Sequence, residues 1–435
     1  MPEATLILKS GGCSWHACTF CGYGRLRGQT PTEENLAREF LAFFSRLSAG
    51  TDTIKVFGSG SFLDEKQVPK RSRELFARQC LEHGIRRLTI ESRPEYITQS
   101  ALSDFKGVEL TVAVGLEVAD DAMLNAIRKG FHLADFEKAA DTLKAAGAKV
   151  RAYLLVNIPG ESDGVLDKSV EYAISRSDSV VLINLLPHGN TPLFGKWLDG
   201  EWSYLSREEF AKKTGKWAGN PKVELDAETF KFTPKFPQEL KKPLTGVGEE
   251  YLTNPAFEVW QDYLARWYHP PKDRMLLILP CSRTKPYSMS ETHQKITRVL
   301  ENTGTRRLFH EVMVSNAGLV PREFEDSYPF NSYDWDERLE TPEIKQRYIE
   351  ITELRIEAYL RAHREYINGV YCYLKHDAES FLALERACRK LGKGCKNFLT
   401  KEAYEKTKGL SKPLQQPESL ASLEESLKCL RQNST

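Results

Sequence analysis

Short apolar runs alternate with amphipathic stretches over the first 200 residues. The runs Thr5–Lys9, Thr53–Phe57, Arg87–Glu91, Glu109–Gly115, Lys149–Asn157 and Val180–Leu186 read as strands. Between them, Thr32–Leu47, Lys70–His83, Ala134–Ala146 and Gly164–Ser175 read as helices. This β–α alternation predicts a parallel sheet covered by helices. Six such units suit a partial TIM-type (β/α) barrel better than a closed eight-fold one, with the site at the C-terminal ends of the strands. From about Trp197 to Thr253 the pattern breaks into a stretch rich in Lys, Pro and Gly, expected to be a connector with a short hairpin around Val223–Phe232. A second α/β pattern follows: a helix over Pro255–Tyr268, strands at Met275–Leu279, Leu308–Val314 and Gly369–Leu374, and a long helix over Thr341–Ala362. From Lys401 the chain turns polar, as a marginal helix and tail would. The expected division is a first domain over 1–200, a connector over 201–253, a second domain over 254–400 and a tail over 401–435.

A length of 435 residues suits two cores rather than one. With 41% hydrophobic and 28% charged residues the composition is that of a soluble globular protein. The formal net charge of +1 lacks the basic excess of a duplex-binding protein, so a nucleic-acid partner has to be met by a local patch or brought by another subunit. The first residues contain too short an apolar run for a signal peptide, and no later run reaches membrane-spanning length, so a cytoplasmic location is expected. In that compartment the nine Cys are reduced, and clustered Cys read as metal ligands or catalysts.

One cluster stands out: Gly12-Cys13-Ser14-Trp15-His16-Ala17-Cys18-Thr19-Phe20-Cys21-Gly22-Tyr23, directly after the first strand. Three thiolates in a glycine-rich loop can converge on a 4Fe–4S cluster and leave one iron open. The competing reading, a zinc site completed by His16, lacks the second Cys pair that zinc usually takes. In this region the chain resembles radical S-adenosylmethionine (SAM) enzymes at five points. Phe20, just before the third Cys, corresponds to the family's aromatic against the adenine, and Tyr23 follows it. Phe57-Gly58-Ser59-Gly60-Ser61-Phe62 resembles the glycine-rich turn whose backbone meets the SAM amino group. Glu91-Ser92-Arg93-Pro94-Glu95-Tyr96 is similar to the strand end that contacts the ribose. Val114-Gly115-Leu116-Glu117 and Asn157-Ile158-Pro159-Gly160-Glu161 complete the series. The resemblance implies a 4Fe–4S cluster on Cys13, Cys18 and Cys21, SAM as cofactor, and an electron donor of the ferredoxin or flavodoxin type. The spacing departs from the commonest one: four residues, not three, separate the first two Cys.

The second constellation is Pro280-Cys281-Ser282-Arg283-Thr284-Lys285-Pro286-Tyr287-Ser288-Met289-Ser290-Glu291-Thr292-His293, delivered by a buried strand. Chemistry alone leaves two readings open. In one, Cys281 is a thiolate favoured by Arg283 and Lys285, with Lys285, Tyr287, Ser290 and His293 as donors or proton shuttle. In the other, Cys281 is a strand-end residue and Ser290 caps a helix. The pattern Pro-Cys-x3-Lys-Pro-Tyr-x2-Ser-x2-His resembles the signature of archaeosine synthase. The likeness continues through Val314–Glu325, Tyr328-Pro329 and Tyr333-Asp334. That family adds lysine to the nitrile of 7-cyano-7-deazaguanine in tRNA, and the N-terminal half is similar to the family's radical SAM partner, which cleaves the lysyl adduct to the amidine. The resemblance also implies a fold reminiscent of uracil-DNA glycosylases, and Glu323 as a carboxylate that could hold the lysine ammonium. The family's transglycosylase-like and tRNA-binding domains are missing from this pattern, which points to a separate tRNA-binding transglycosylase-like subunit. Two alternatives stand beside tRNA modification: a modified DNA base or free nucleobase as target, and a second domain that only binds a base or a partner. Cys80, Cys372, Cys388, Cys395 and Cys429 form no cluster in sequence, and Cys388 with Cys395 lacks a third partner nearby.

Overall fold

The computed structural model describes residues 3–8, 11–25, 31–189, 191–227 and 233–432. It divides into two compact units, Met1–Phe232 and Thr233–Thr435.

The first unit is built on seven strands in sequential order: β1 (Glu3–Leu8), β2 (Thr53–Gly58), β3 (Arg87–Glu91), β4 (Glu109–Glu117), β5 (Lys149–Val156), β6 (Ser179–Asn184) and β7 (Val223–Asp226). Every neighbouring pair is parallel. Side chains alternate across each strand. One face carries Leu6, Ile54, Val56, Leu88, Ile90, Val112, Val150, Ala152, Leu154 and Leu182, all buried. The other face curls around a lumen, since residues from all seven strands line one cavity of about 920 Å³. The helices sit where the periodicity places them: Glu33–Phe44, Lys70–Glu82, Leu133–Ala145 and Val165–Arg176. Thr32 caps the first by accepting from the Asn35 amide at 3.2 Å.

Two differences from the sequence reading lie in the stretch after Trp197. The helix Arg207–Thr214 and strand β7 occupy it, and β7 extends the barrel by pairing with β6 from Val180↔Val223 to Ile183↔Asp226. A four-residue strand among Lys, Pro and Gly carries too little periodicity to be read alone, and its partner supplies the hydrogen bonds that define it. Of the expected hairpin, residues 228–232 lie outside the described residues, as does Lys9 of the first expected strand.

The second unit contains β8 (Leu244–Gly246), β9 (Arg274–Pro280), β10 (Phe309–Ser315), β11 (Gly318–Pro321), β12 (Tyr333–Trp335), β13 (Ile367–Cys372) and β14 (Cys395–Asn397). Its main sheet runs β11-β10-β9-β13-β14, parallel apart from the β10–β11 hairpin, with β9 central; β8 and β12 pair separately. The long helix is Pro342–Ala362, capped by Thr341. The segment from Lys401, expected as a marginal helix and tail, instead forms the helices Lys401–Thr407 and Pro417–Gln432. The second of these buries Ser419, Leu423 and Leu427, and Arg431 donates to the Thr303 carbonyl at 3.0 Å. A few apolar residues at helical spacing suffice once a packed surface receives them. Residues 433–435 lie outside the described residues.

Candidate functional site

In the first unit the Cys loop leaves β1 and is anchored from several sides. Ser14 donates to Asp64 at 2.5 Å, Trp15 donates to the Arg128 carbonyl at 2.8 Å, and the Gly22 amide donates to His188 Nδ1 at 3.0 Å. Gln67 ties this loop to the glycine-rich turn after β2. Its Nε2 donates to the Gly12 carbonyl and, at 2.9 Å, to the Ser59 carbonyl, while its Oε1 accepts from the Ser61 amide at 2.5 Å. Gly60 has φ 132°, and a Cβ there would stand 2.9 Å from the Cys13 Cα and closer still to the Gln67 amide. Only glycine allows this approach.

Cys13, Cys18 and Cys21 are free thiols. Burial pushes Cys18 up to about 11 and also raises Cys21, and each feels the charge of a neighbouring member of the triad. Among the described residues no group of three or more His, Cys, Asp and Glu is compact enough to hold a single ion, as a zinc site requires. His16 is exposed, with Nδ1 at 3.1 Å from the Ser14 carbonyl. A cubane instead spreads its thiolates over the corners of a cube, and the donor set, three free thiols on one glycine-rich loop beside the Gly58–Ser61 turn, fits that group.

Of the predicted SAM residues, Phe20, Tyr23, Gly58, Ser59, Glu91 and Glu117 line the cavity. Burial raises the Glu91 carboxyl to about 7, with the Glu117 charge adding to the effect and the Gly58 amide and Lys129 opposing it. The Gly58 amide donates to Glu91 at 3.4 Å. Gly60 and Ser61, the second half of the turn, line a smaller adjoining pocket and not the large cavity, and Ser92 and Arg93 are buried away from it. Arg93 is not a cavity residue: its amide donates to Ser61 Oγ at 3.0 Å, its guanidinium pairs with Glu95 and lies 5.1 Å from the Trp15 ring. Asn157 and Ile158 of the fifth motif donate to Glu161, which shapes the turn after β5.

Several residues of this site escaped the sequence reading. Lys129 is buried, pairs with Glu117 at 2.5 Å and lies 5.9 Å from the Phe20 ring. Burial pulls its pKa down, but the charges of Glu117 and Cys18, with the Glu117 hydrogen bond, together hold it up. His188 packs edge-on against Tyr23 at 5.1 Å. Inside the lumen, Glu3, Lys55, Arg151, Tyr153, Glu224 and Asp226 are polar where parallel strands are usually apolar on both faces.

In the second unit, β9 delivers Cys281 to an exposed position. Its Sγ lies 3.4 Å from the Tyr333 hydroxyl, which is 2.6 Å from the Tyr287 hydroxyl. Lys285 donates to the Ser282 carbonyl, with its ammonium 4.3 Å from the Tyr333 ring centroid and 4.8 Å from that of Tyr287. Burial lowers its pKa. The structure thus brings together Cys281, Lys285, Tyr287 and Tyr333, the last quoted in the motif but not assigned a role. Ser290 caps the helix Glu291–Asn302 by accepting from the His293 amide. His293 does not fit the shuttle role. It is fully buried, Nε2 faces the Pro280 carbonyl at 2.9 Å and Nδ1 accepts from Arg322 at 2.9 Å. Burial first, and Arg322 second, lower its pKa to about 4. Glu323 accepts from the Tyr268 hydroxyl. Cys372 comes within 3.9 Å of Cys395, a third thiol that the chain order conceals. No helix among the described residues is long and apolar enough to cross a membrane.

A family profile described as the radical SAM superfamily matches residues 7–173, and one described as a domain of unknown function, DUF5591, matches residues 257–425. The chain is 34% identical over 163 residues to an archaeosine synthase subunit beta of Methanosarcina acetivorans, covering 35% of this chain and 47% of that protein. It is 32% identical over 177 residues to the Thermococcus kodakarensis subunit beta, covering 37% and 55%. It is also 43% identical over 86 residues to an archaeosine synthase subunit alpha of Thermoplasma acidophilum, covering 20% and 16%. The chain thus spans about half the length of the beta subunits it matches. Among solved structures, a queuine lyase from Clostridium spiroforme bound to SAM and queuine superposes with a TM-score of 0.41 at 22% identity, over 52% of this chain and 90% of that one.

Proposed function

We propose that this chain, in which a radical SAM domain is joined to a DUF5591 domain, builds an archaeosine-type amidine on a 7-deazaguanine base. Lysine first adds through its ε-amine to the nitrile of 7-cyano-7-deazaguanine; the side-chain carbon–nitrogen bond of the adduct is then cleaved, leaving the amidine. The observation that carries this reading is the presence, in one chain, of likeness to both the beta and the alpha subunit of archaeosine synthase.

In the first unit Cys13, Cys18 and Cys21 would hold the cluster. When bound there, a 4Fe–4S cluster would supply the electron for reductive cleavage of SAM. The turn at Gly58–Ser61, braced by Gln67, offers backbone groups to the amino-acid end of SAM. Phe20 offers a ring face to its adenine, and Lys129 fixes that ring from behind. Glu91, with a pKa near neutrality, can accept or donate a hydrogen bond at pH 7.

In the second unit the Cys281 sulfur attacks the nitrile carbon to give a thioimidate, and the nitrile nitrogen takes a proton. Tyr333 and Tyr287, kept protonated by burial, form the proton relay beside that sulfur. The lysine amine then displaces the thiol. Lys285 orients the incoming carboxylate or a phosphate. A tRNA carrying the base, a separate tRNA-binding transglycosylase-like subunit and a ferredoxin- or flavodoxin-type donor complete the system.

The test is anaerobic incubation of the reconstituted protein with SAM, reductant, lysine and tRNA bearing the cyano base, read by nucleoside mass spectrometry. Formation of lysyl adduct and amidine is expected. Parallel arms with a DNA oligonucleotide and the free base identify the carrier, and no product in any arm rejects the reading.

A further inference from the structure

The lumen of the first unit holds charges that the cluster and SAM do not use. Arg151 pairs with Glu224 at 2.5 Å across the β5–β7 wall, and Lys55 pairs with Glu3 at 2.9 Å across the β1–β2 wall. Asp226 follows Glu224 on the same face of β7, and Tyr153 follows Arg151 on the same face of β5. Register places them in rows. Tyr153, Val181 and Glu224 form one; Leu155, Ile183 and Asp226 form the next, toward the strand ends. Two residues along a strand separate these rows by about 6.6 Å.

We infer that Arg151, Glu224 and Asp226 form the recognition site for an α-amino acid head group. The inference rests on the proposed reading, in which the group to be cleaved ends in the α-ammonium and α-carboxylate of lysine. Its chemistry fits the wall. A guanidinium binds a carboxylate through a planar fork, and the two carboxylates of β7 suit an ammonium. A zwitterion inserted into the Arg151–Glu224 pair gives the guanidinium a new carboxylate and the Glu224 carboxylate a new cation, so neither charge is left unpaired. The cavity, about 920 Å³, lies at the upper end of the ~300–1,000 Å³ range for single small-ligand sites and has room for SAM beside such an arm.

The experiment measures equilibrium binding to the anaerobically reconstituted full chain with SAM present. The probes are Nε-acetimidoyl-L-lysine, its Nα-acetyl derivative, and N-acetimidoyl-1,5-diaminopentane, which lacks the carboxylate. Wild type should bind the first at least tenfold more tightly than the other two. Arg151→Ala should erase the preference over the diamine, Arg151→Lys should restore part of it, and the double variant Glu224→Gln/Asp226→Asn should erase the preference over the acetylated probe. Cluster absorbance and SAM affinity report that each variant is folded. Equal binding of all three probes, no binding of the first, or a preference that survives Arg151→Ala overturns the inference. The tRNA assay separates the two readings. Head-group discrimination without amidine product leaves this inference standing and rejects the proposed function, whereas amidine product without discrimination does the reverse.

Discussion

The two units display their chemistry in different ways. In the first, seven strands each contribute side chains to one lumen, and a single glycine-rich loop closes it with three thiols. In the second, one loop after β9 presents an exposed Cys281 against two buried phenols, and the residues around it serve mainly to hold that loop. A lumen on rigid strands suits a reaction that must confine a radical; an exposed sulfur on a loop suits addition to a base carried by a macromolecule. The difference implies that either chemistry can be removed without the other.

The largest effect should come from Cys13→Ala/Cys18→Ala/Cys21→Ala. Iron after reconstitution should fall from about four per chain to background, and the ~400 nm absorbance with it. Cleavage of a preformed lysyl adduct should be abolished, while lysine addition to the nitrile continues. Iron retained in full would break the comparison at its first term. The mirror experiment is Cys281→Ser, expected to slow adduct formation by at least ~10³-fold with adduct cleavage unchanged. Adduct formation at the wild-type rate would reduce the second unit to a binding module.

These two experiments use residues that contiguous motifs reveal, and the contrast with the rest shows where sequence reading stops. Cys13, Phe20, the Gly58–Ser61 turn and the Cys281 loop lie in short runs whose residue types carry meaning in order. The strands that hold them were legible to within about two residues, because an apolar run flanked by helices has few alternatives. Arg151, Glu224, Lys129, His188 and Gln67 come from separate elements, and only the curl of the sheet or the path of a loop brings them to the site. One signal was available: Thr89, Thr111, Arg151 and Ser179 interrupt otherwise apolar parallel strands at alternate positions, marking an inward polar face. His293 misled for the opposite reason. Its place in a motif suggested a proton shuttle, and burial gave both its nitrogens structural partners.

A smaller loss is expected from Gly60→Val. Its Cβ would meet the Cys13 backbone and Gln67, so SAM affinity should weaken at least ~10-fold and cluster occupancy should fall with it. Unchanged SAM titrations would move the methionine site elsewhere. In the second unit the pair Tyr333→Phe and His293→Gln separates a proton donor from a brace. Tyr333→Phe should slow adduct formation about 10²-fold at nearly wild-type stability. His293→Gln should change that rate only a few-fold while lowering stability by about 1–3 kcal/mol, because Arg322 and the Pro280 carbonyl lose a buried partner. The reverse ranking in single-turnover rates and denaturant midpoints would return His293 to catalysis.

The gentlest test is pH, which should act on the two units with opposite sign. Burial lowers His293, His310 and His363 to about 4 from an ordinary value of 6.5. Between those limits the unfolded chain binds protons that the folded second unit does not, so stability rises with pH through this window. The contribution is fully present above about 6.5 and is lost as pH falls toward 4, at up to about 1.4 kcal/mol per pH unit for each histidine. Glu91 in the first unit works the other way. Its carboxyl is raised from 4.5 to about 7, so the folded state holds a proton that the unfolded state has released. That contribution is present below about 4.5 and is lost as pH rises through 7. Moving from pH 7 to pH 5 should therefore lower the unfolding midpoint of the second unit while leaving the first unchanged or slightly raised. Hydrogen exchange resolved by peptide can follow the units separately in the apo protein, with peptides from β9 and β10 losing protection first and peptides from β2 and β3 holding. Equal acid sensitivity of both sets would show that the buried histidines do not dominate the second unit's response. His293→Gln should flatten the β9 dependence by about one proton.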